Sequence, residues 1–151
     1  EMLINKKMLS EKILNNKKEE SSITNKIDKL LNNAEDVVLY TSRDVVVGNS
    51  REEYLQIGAK ITDSIINIIK NLSVKPNYIL SKGGMTSSSV TKRGLNVKRA
   101  IIPGQIQSGV LVMKLGEESK YPGSHLVLFP GNVGNEDAIL DVFSKLKSKS
   151  N

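Results

Sequence analysis

Residues 77–90 read NYILSKGGMTSSSV, an apolar segment followed by two glycines and a run of hydroxyl residues. Its apolar residues 78–80 predict a strand that stops at the glycine pair Gly83-Gly84. The hydroxyl-rich segment behind the pair predicts a helix with Thr86 or Ser87 as its N-cap. Glycines in a sharp turn expose backbone N–H groups, and a helix N-terminus behind them favours an anion. The stretch therefore indicates either a phosphate site or an ordinary strand-to-helix turn.

The composition is that of a soluble globular domain. The chain has 151 residues, of which 38% are hydrophobic and 25% charged. No apolar run approaches the roughly 20 residues of a membrane helix, and no signal peptide is visible. The absence of cysteine excludes disulfides and thiolate catalysis, and the single histidine, His125, argues against a histidine-based metal site. We expect one cytoplasmic domain without membrane contact and, because the first residue is Glu1, part of a longer protein.

Charge is distributed unevenly along the chain. No acidic residue lies between Ser64 and Gly116. The eight basic residues of that segment are Lys70, Lys75, Lys82, Lys92, Arg93, Lys98, Arg99 and Lys114. A segment of one sign steers an anionic ligand, although a solvated basic face has the same composition. Aromatic residues make up only 4% of the chain, so stacking platforms for nucleic acid are scarce.

Hydrophobic periodicity predicts an α/β fold, a three-layer and mostly parallel sheet flanked by helices with an antiparallel hairpin added. Helices are predicted at residues 1–20, 22–34, 50–72, 87–94 and 135–147, and strands at residues 36–42, 78–80, 97–103, 109–115 and 125–129. Ser50 is predicted to cap its helix, with Glu53 completing a capping box. The succession of strand, long helix and strand over residues 36–80 predicts a right-handed βαβ unit.

A second loop repeats the pattern of the first. Residues 129–138 read FPGNVGNEDA, in which a strand runs into glycines and a helix follows. Ligands of open α/β sheets bind at the carboxyl ends of the strands, so two such turns on neighbouring strands would hold one polyphosphate. The Walker and G-x-G-x-x-G patterns are absent, which argues against P-loop kinases and Rossmann dehydrogenases.

Four segments carry a family resemblance by their order and spacing: SKGGMTSS, GLNVKRA with GQIQSGV, LG-x-ES-x-YPG, and FPGNVG-x-EDA. Over residues 36–142 the chain resembles the C-terminal part of the four-carbon acid sugar kinases, and more narrowly their tetronate and 3-oxo-tetronate branch. The resemblance implies a two-domain transferase that moves the ATP γ-phosphoryl to a hydroxyl of a four-carbon sugar acid, with Mg²⁺. The N-terminal domain of the family binds the acid and the C-terminal domain binds ATP or ADP.

Residues 1–151 are similar to that nucleotide-binding domain alone. Its first strand, with a Gly-Ser-x-Ser segment that contacts ATP, has no match before Ser21. The domain that binds the sugar acid and the catalytic base would therefore lie in a part of the protein outside this sequence. The chain alone is expected to be inactive as a kinase. The sequence does not decide whether the protein forms a homo-oligomer.

The resemblance also implies the nucleotide-binding residues. The phosphate loop matches Gly83, Gly84, Met85 and Thr86, with Ser87 beside them, and the second contact matches Gly131, Asn132 and Gly134. Some relatives have an acidic residue where this chain has Met85, so no metal ligand is assigned. The turn at Gly104 and Gln105 is expected to line the site, and Lys82 is either a phosphate partner or a solvent-facing lysine.

Two other functions remain open from the residues. One is a non-catalytic module that binds an anion or phosphosugar through the same two loops. The other is a nucleic-acid-binding domain that uses the basic segment, against which the few aromatic residues count.

Overall fold

A computed structural model describes residues 2–3, 17–41 and 50–148 of the chain. These residues belong to two compact units, Glu1–Lys75 and Pro76–Asn151. Within the described ranges, no helix is long and apolar enough to cross a bilayer.

The described residues of the first unit form two helices and a two-stranded parallel sheet. Strand β1 is Met2–Leu3, helix α1 is Lys17–Asn32, strand β2 is Val37–Val38 and helix α2 is Arg51–Asn71. β1 pairs with β2. Asp28 of α1 joins the segment behind α2, because its Oδ1 accepts hydrogen bonds from the backbone N–H groups of Ser73 and Val74, each at 3.0 Å.

The predicted start of α2 is confirmed. The side chain of Ser50 accepts a hydrogen bond from the backbone N–H of Glu53 at 3.1 Å, which satisfies one of the free donors of the first turn. On this helix Ile66 and Ile68 are buried.

Two predictions in this unit are wrong. Residues 2–3 form a strand rather than the beginning of a helix, and helix is described only from Lys17. The expected buried strand at residues 36–42 is two residues long, and Val38 is 63% exposed. A β-branched run favours extended backbone, but its length and burial depend on partner strands, and among the described residues β2 pairs with β1 at two positions.

The second unit is built on a four-stranded sheet. Its strands are β3 (Tyr78–Lys82), β4 (Ala100–Gln107), β5 (Val110–Leu115) and β6 (His125–Phe129), in the spatial order β3-β6-β5-β4. β3 and β6 are parallel, whereas β6–β5 and β5–β4 are antiparallel. The α/β class and the antiparallel hairpin are therefore confirmed.

The direction of most strands differs from the prediction. The four-stranded sheet is mostly antiparallel because the β4–β5 hairpin docks directly against β6. The predicted βαβ unit around α2 is not formed in one sheet, since β2 pairs with β1 and β3 pairs with β6. Local sequence identifies a hairpin, but not the strand on which it docks.

Helices cover both faces of this sheet. Helix α4 (Ala138–Ser148) places Ala138, Val142 and Leu146 in one buried cluster with Val127 and Phe129 of β6. Tyr78 and Leu80 of β3 pack against the same cluster. Helix α3 (Gly84–Ser89) continues as a π-helical turn, Val90–Gly94, and is hydrogen-bonded to Ser81, which lies between Leu80 and Lys82 on β3. Because side chains alternate across a strand, α3 and α4 lie on opposite faces, as the three-layer prediction required.

Candidate nucleotide-binding site

The structure brings the two glycine turns side by side. β3 and β6 run in parallel with Lys82 opposite Phe129, so both strands end at the same edge of the sheet. The backbone N–H of Gly83 donates a hydrogen bond to the carbonyl of Phe129 at 2.9 Å, which extends this pairing into the first turn. Both sets of sequence-predicted residues thus begin directly behind neighbouring strands.

The first turn presents free backbone donors. Gly83 has a φ of 96° and its carbonyl accepts the first helical hydrogen bond of α3, from the N–H of Ser87 at 2.9 Å. The N–H groups of Gly84, Met85 and Thr86 precede that bond and have no acceptor inside the helix. The side chain of Met85 is 85% exposed, so none of the described residues covers it.

Ser87 differs from its neighbours in the loop. Its hydroxyl donates to the carbonyl of Ser81 at 3.0 Å, and both serines are buried. The side chain of Ser87 is therefore directed into the interface between α3 and β3, while Gly84 and Met85 are exposed.

The second turn follows β6. Gly131 and Asn132 are exposed, and the turn continues through Gly134, whose φ is 83°. A Cβ atom at Gly134 would collide with the Cβ of Ala138 at the start of α4. Gly134 thus allows the chain to turn sharply into that helix.

Two glycines at this edge are not required by the fold. Gly84 and Gly131 both lack a positive φ, and a Cβ built on either one meets no atom within 4 Å. Neither backbone conformation nor packing explains why these positions lack a side chain. Glycine also permits close approach of a ligand to the backbone, which would account for both positions at this edge.

Lys82 connects the two turns. Its Nζ donates a hydrogen bond to the carbonyl oxygen of Gly131 at 3.1 Å and lies 4.9 Å from the centroid of the Phe129 ring. The side chain is exposed, so its ammonium group is accessible from the sheet edge.

A third element at this edge is the β4–β5 hairpin turn, which the sequence analysis predicted at the wrong residues. The predicted turn at Gly104 and Gln105 lies inside β4, and the hairpin turns at Ser108 and Gly109 instead. Because β4 runs in the same direction as β6, this turn lies at the edge where the glycine turns lie. A Cβ at Gly109 would approach Val133 Cγ1 to 3.3 Å, so the two turns are in contact.

Gln105 nevertheless reaches this turn through its side chain, since its Oε1 accepts a hydrogen bond from the N–H of Gly109 at 2.9 Å. The signal for the true turn was the dipeptide Ser-Gly between two apolar runs, which marks turns in general.

Acidic side chains do not assemble into a metal site in the described parts of the chain. No group of three histidine, aspartate or glutamate side chains comes together there. Glu136 and Asp137 follow the second turn and are exposed, and the N–H of Asp137 donates to Asn135 Oδ1 at 3.2 Å. The described edge thus offers backbone donors and one ammonium group, which is chemistry suited to an anion.

The fold and this edge define a class of protein. A family model described as the nucleotide-binding C-terminal domain matches residues 3–139, and the chain belongs to this family. Its members form the C-terminal part of the DUF1537 proteins, the four-carbon acid sugar kinase family, so the resemblance drawn from the four sequence segments is confirmed.

Solved structures agree on the fold. A DUF1537 protein of Bordetella bronchiseptica, crystallised with bound citrate as a domain-swapped dimer, is 12% identical, with a TM-score of 0.58 over 89% of this chain and 32% of its own. The Haemophilus influenzae protein HI1011 is 21% identical, with a TM-score of 0.55 over 92% of this chain and 32% of its own. The chain thus spans about a third of these neighbours. A search of curated proteins found no match.

Proposed function

We propose that this chain is the ATP-binding part of a kinase that phosphorylates a four-carbon sugar acid of the 3-oxo-tetronate, threonate or erythronate type. One observation carries the proposal: Gly84 and Gly131 lie behind neighbouring strands, and the fold requires glycine at neither position. The family assignment supports nucleotide as the anion that approaches them.

Binding would rest on the backbone of the two turns. The free N–H groups of Gly84, Met85 and Thr86 would donate to phosphate oxygens of ATP, and the turn at Gly131 and Asn132 would contact the nucleotide from the adjacent strand. Phosphoryl transfer depends mainly on positioning and charge neutralisation, which such a cradle can provide. Gly83 and Gly134 would contribute by shaping the two turns.

The remaining chemistry would come from elsewhere in the protein. Met85 offers no carboxylate at the loop position that is acidic in some relatives, and the described residues contain no metal-binding cluster. Mg²⁺ would therefore be held by the phosphates and by groups beyond the described residues. We infer that the acid-binding groups and the general base belong to a preceding domain, that this chain alone transfers no phosphate, and that the kinase acts in the cytoplasm.

Calorimetric titration of the purified chain tests the proposal. The ligands are ATP, ADP, a four-carbon sugar phosphate and a short oligonucleotide, and the variants are Gly84→Ala and Gly131→Ala. The added methyl group has free space in the protein but would enter the phosphate contact, so we expect ATP affinity to fall about 10-fold or more. Gly58→Ala in α2 is the matched control, since Gly58 also has open space around its Cβ position.

The results separate the alternatives. Preference for the sugar phosphate over ATP would identify a phosphosugar module, and preference for the oligonucleotide with steep salt dependence would identify a nucleic-acid-binding domain. Unchanged ATP affinity in both glycine variants would overturn the proposed site. Sedimentation of the same protein tests whether it forms an oligomer, as the Bordetella bronchiseptica protein does.

A further inference from the structure

We propose that Lys82 binds the terminal phosphates of the nucleotide and makes the site selective for ATP and ADP over AMP. This inference rests on the proposed function and adds a charged residue to a site otherwise composed of backbone groups. It begins from the position of Lys82 as the last residue of β3, directly opposite Phe129, the last residue of β6.

The side chain of Lys82 spans the gap between the two turns. Lys82 directly precedes Gly83, and its Nζ reaches the loop behind the neighbouring strand, where it lies 3.1 Å from the carbonyl oxygen of Gly131. The ring of Phe129, 4.9 Å from Nζ, lies beneath the ammonium group and restricts it by a cation–π interaction. Both contacts direct the ammonium group of Lys82 to the second turn, at Gly131.

The charge of Lys82 has no counter-charge in the described structure. Both of its contacts are with uncharged groups, and it forms no ion pair with a described carboxylate. An ammonium group has three donors, of which Gly131 uses one. Two N–H bonds of an exposed cation thus remain for an anion at the sheet edge.

A role in binding the terminal phosphates follows from this arrangement. The ammonium group lies at the Gly131 turn, and Lys82 itself directly precedes the Gly83 turn, so a phosphate chain held by both turns would pass within its reach. A point charge there favours the polyanionic end of a nucleotide and has little effect on its base or sugar. ATP and ADP carry phosphates beyond the one that AMP has, so their affinity should depend on Lys82 much more than that of AMP.

The test compares Lys82→Met with wild type in calorimetric titrations of ATP, ADP, AMP and inorganic tripolyphosphate. Methionine retains an unbranched apolar side chain over Phe129 but carries no charge. Loss of a charged hydrogen bond predicts a decrease of about 10- to 100-fold in affinity for ATP and tripolyphosphate. AMP affinity should change less than about 3-fold. Lys82→Arg should retain most ATP affinity, since it keeps the charge.

Lys92→Met controls for net charge, because Lys92 is exposed on the π-helical turn and lies in the same acid-free segment. It should leave ATP affinity within about 2-fold. An equal loss for ATP and AMP, together with a lower melting temperature, would show that Lys82 only joins the turns and would overturn the inference. Unchanged ATP affinity in Lys82→Met would also overturn it. Wild-type protein that binds no ATP would reject the proposed function itself.

Discussion

The hydroxyl of Ser87 donates a hydrogen bond to the carbonyl oxygen of Ser81 at 3.0 Å, across the glycine turn that separates β3 from α3. It also approaches the Ser81 hydroxyl at 3.2 Å, and both residues are buried. The turn between them is therefore closed at its base by two side chains, which fixes the start of α3 relative to the end of β3.

This closure predicts a loss of stability in Ser87→Ala. The substitution leaves the Ser81 hydroxyl without its buried partner, so the free energy of unfolding should fall by about 1–2 kcal/mol. Urea denaturation measures it, with Ser88→Ala as the control, because Ser88 is exposed on the same helix and should change stability by less than about 0.5 kcal/mol. Equal effects of the two substitutions would contradict the role of the buried hydrogen bond.

The glycines of the site should divide into two groups by stability. Gly83→Ala places a side chain at a φ of 96°, which should lower the free energy of unfolding by about 1–3 kcal/mol. Gly134→Ala should be worse, because the new Cβ would also overlap Ala138. Gly131→Ala should be nearly neutral and serves as the control. Thermal denaturation of the three variants checks this order, and a strongly destabilised Gly131→Ala would refute the division.

Sequence alone predicted the elements that end at clear helix- or strand-breaking residues. Strand β6 was predicted at residues 125–129, where the structure has it, because a continuous apolar run ends at Pro130 and Gly131. Strand β4 was placed wrongly because Pro103 and Gly104 resemble a break. β4 lies at the edge of the sheet, where a missing N–H is tolerated, and a register shift between Ile101 and Gly104 accommodates the pair.

The candidate site was predictable only in part, because some of its contacts depend on the arrangement of the strands. The glycine turns are visible in the sequence, and their adjacency follows once β3 and β6 are paired. The bond from Lys82 to Gly131 and the burial of Ser87 depend on which strands are neighbours and on which face each side chain lies. Periodicity within one segment contains no information on either.

The loop after β5 predicts a pH-dependent contribution to stability. Glu118 accepts hydrogen bonds from the backbone N–H groups of Lys98 at 2.9 Å and Arg99 at 2.6 Å. Hydrogen bonds from its own N–H and from those of Arg99 and Lys98, in decreasing order, hold the pKa of Glu118 below its ordinary value of 4.5. These bonds favour the ionised form, so their stabilisation is present above the unfolded pKa and is lost as the pH falls through the folded pKa.

Melting temperatures of wild type and Glu118→Gln, measured from neutral pH to below pH 4.5, test whether ionisation of Glu118 contributes to stability. The variant should be less stable than wild type at neutral pH, and the difference should shrink as the pH falls below 4.5. A difference that does not change with pH would mean that the charge of Glu118 is not what holds the segment before β4.

The end of α1 offers a stabilising substitution. The N–H of Glu35 donates to the carbonyl of Leu30 and that of Ala34 to Leu31, both at 3.0 Å, and Ala34 has a φ of 58°. This is a Schellman motif, whose left-handed position favours glycine, so Ala34→Gly should raise the free energy of unfolding by about 1 kcal/mol in urea denaturation. Ala59→Gly inside α2 is the control with opposite sign, expected to lower it by about 1 kcal/mol. Destabilisation by both substitutions would show that chain entropy outweighs the strain at Ala34.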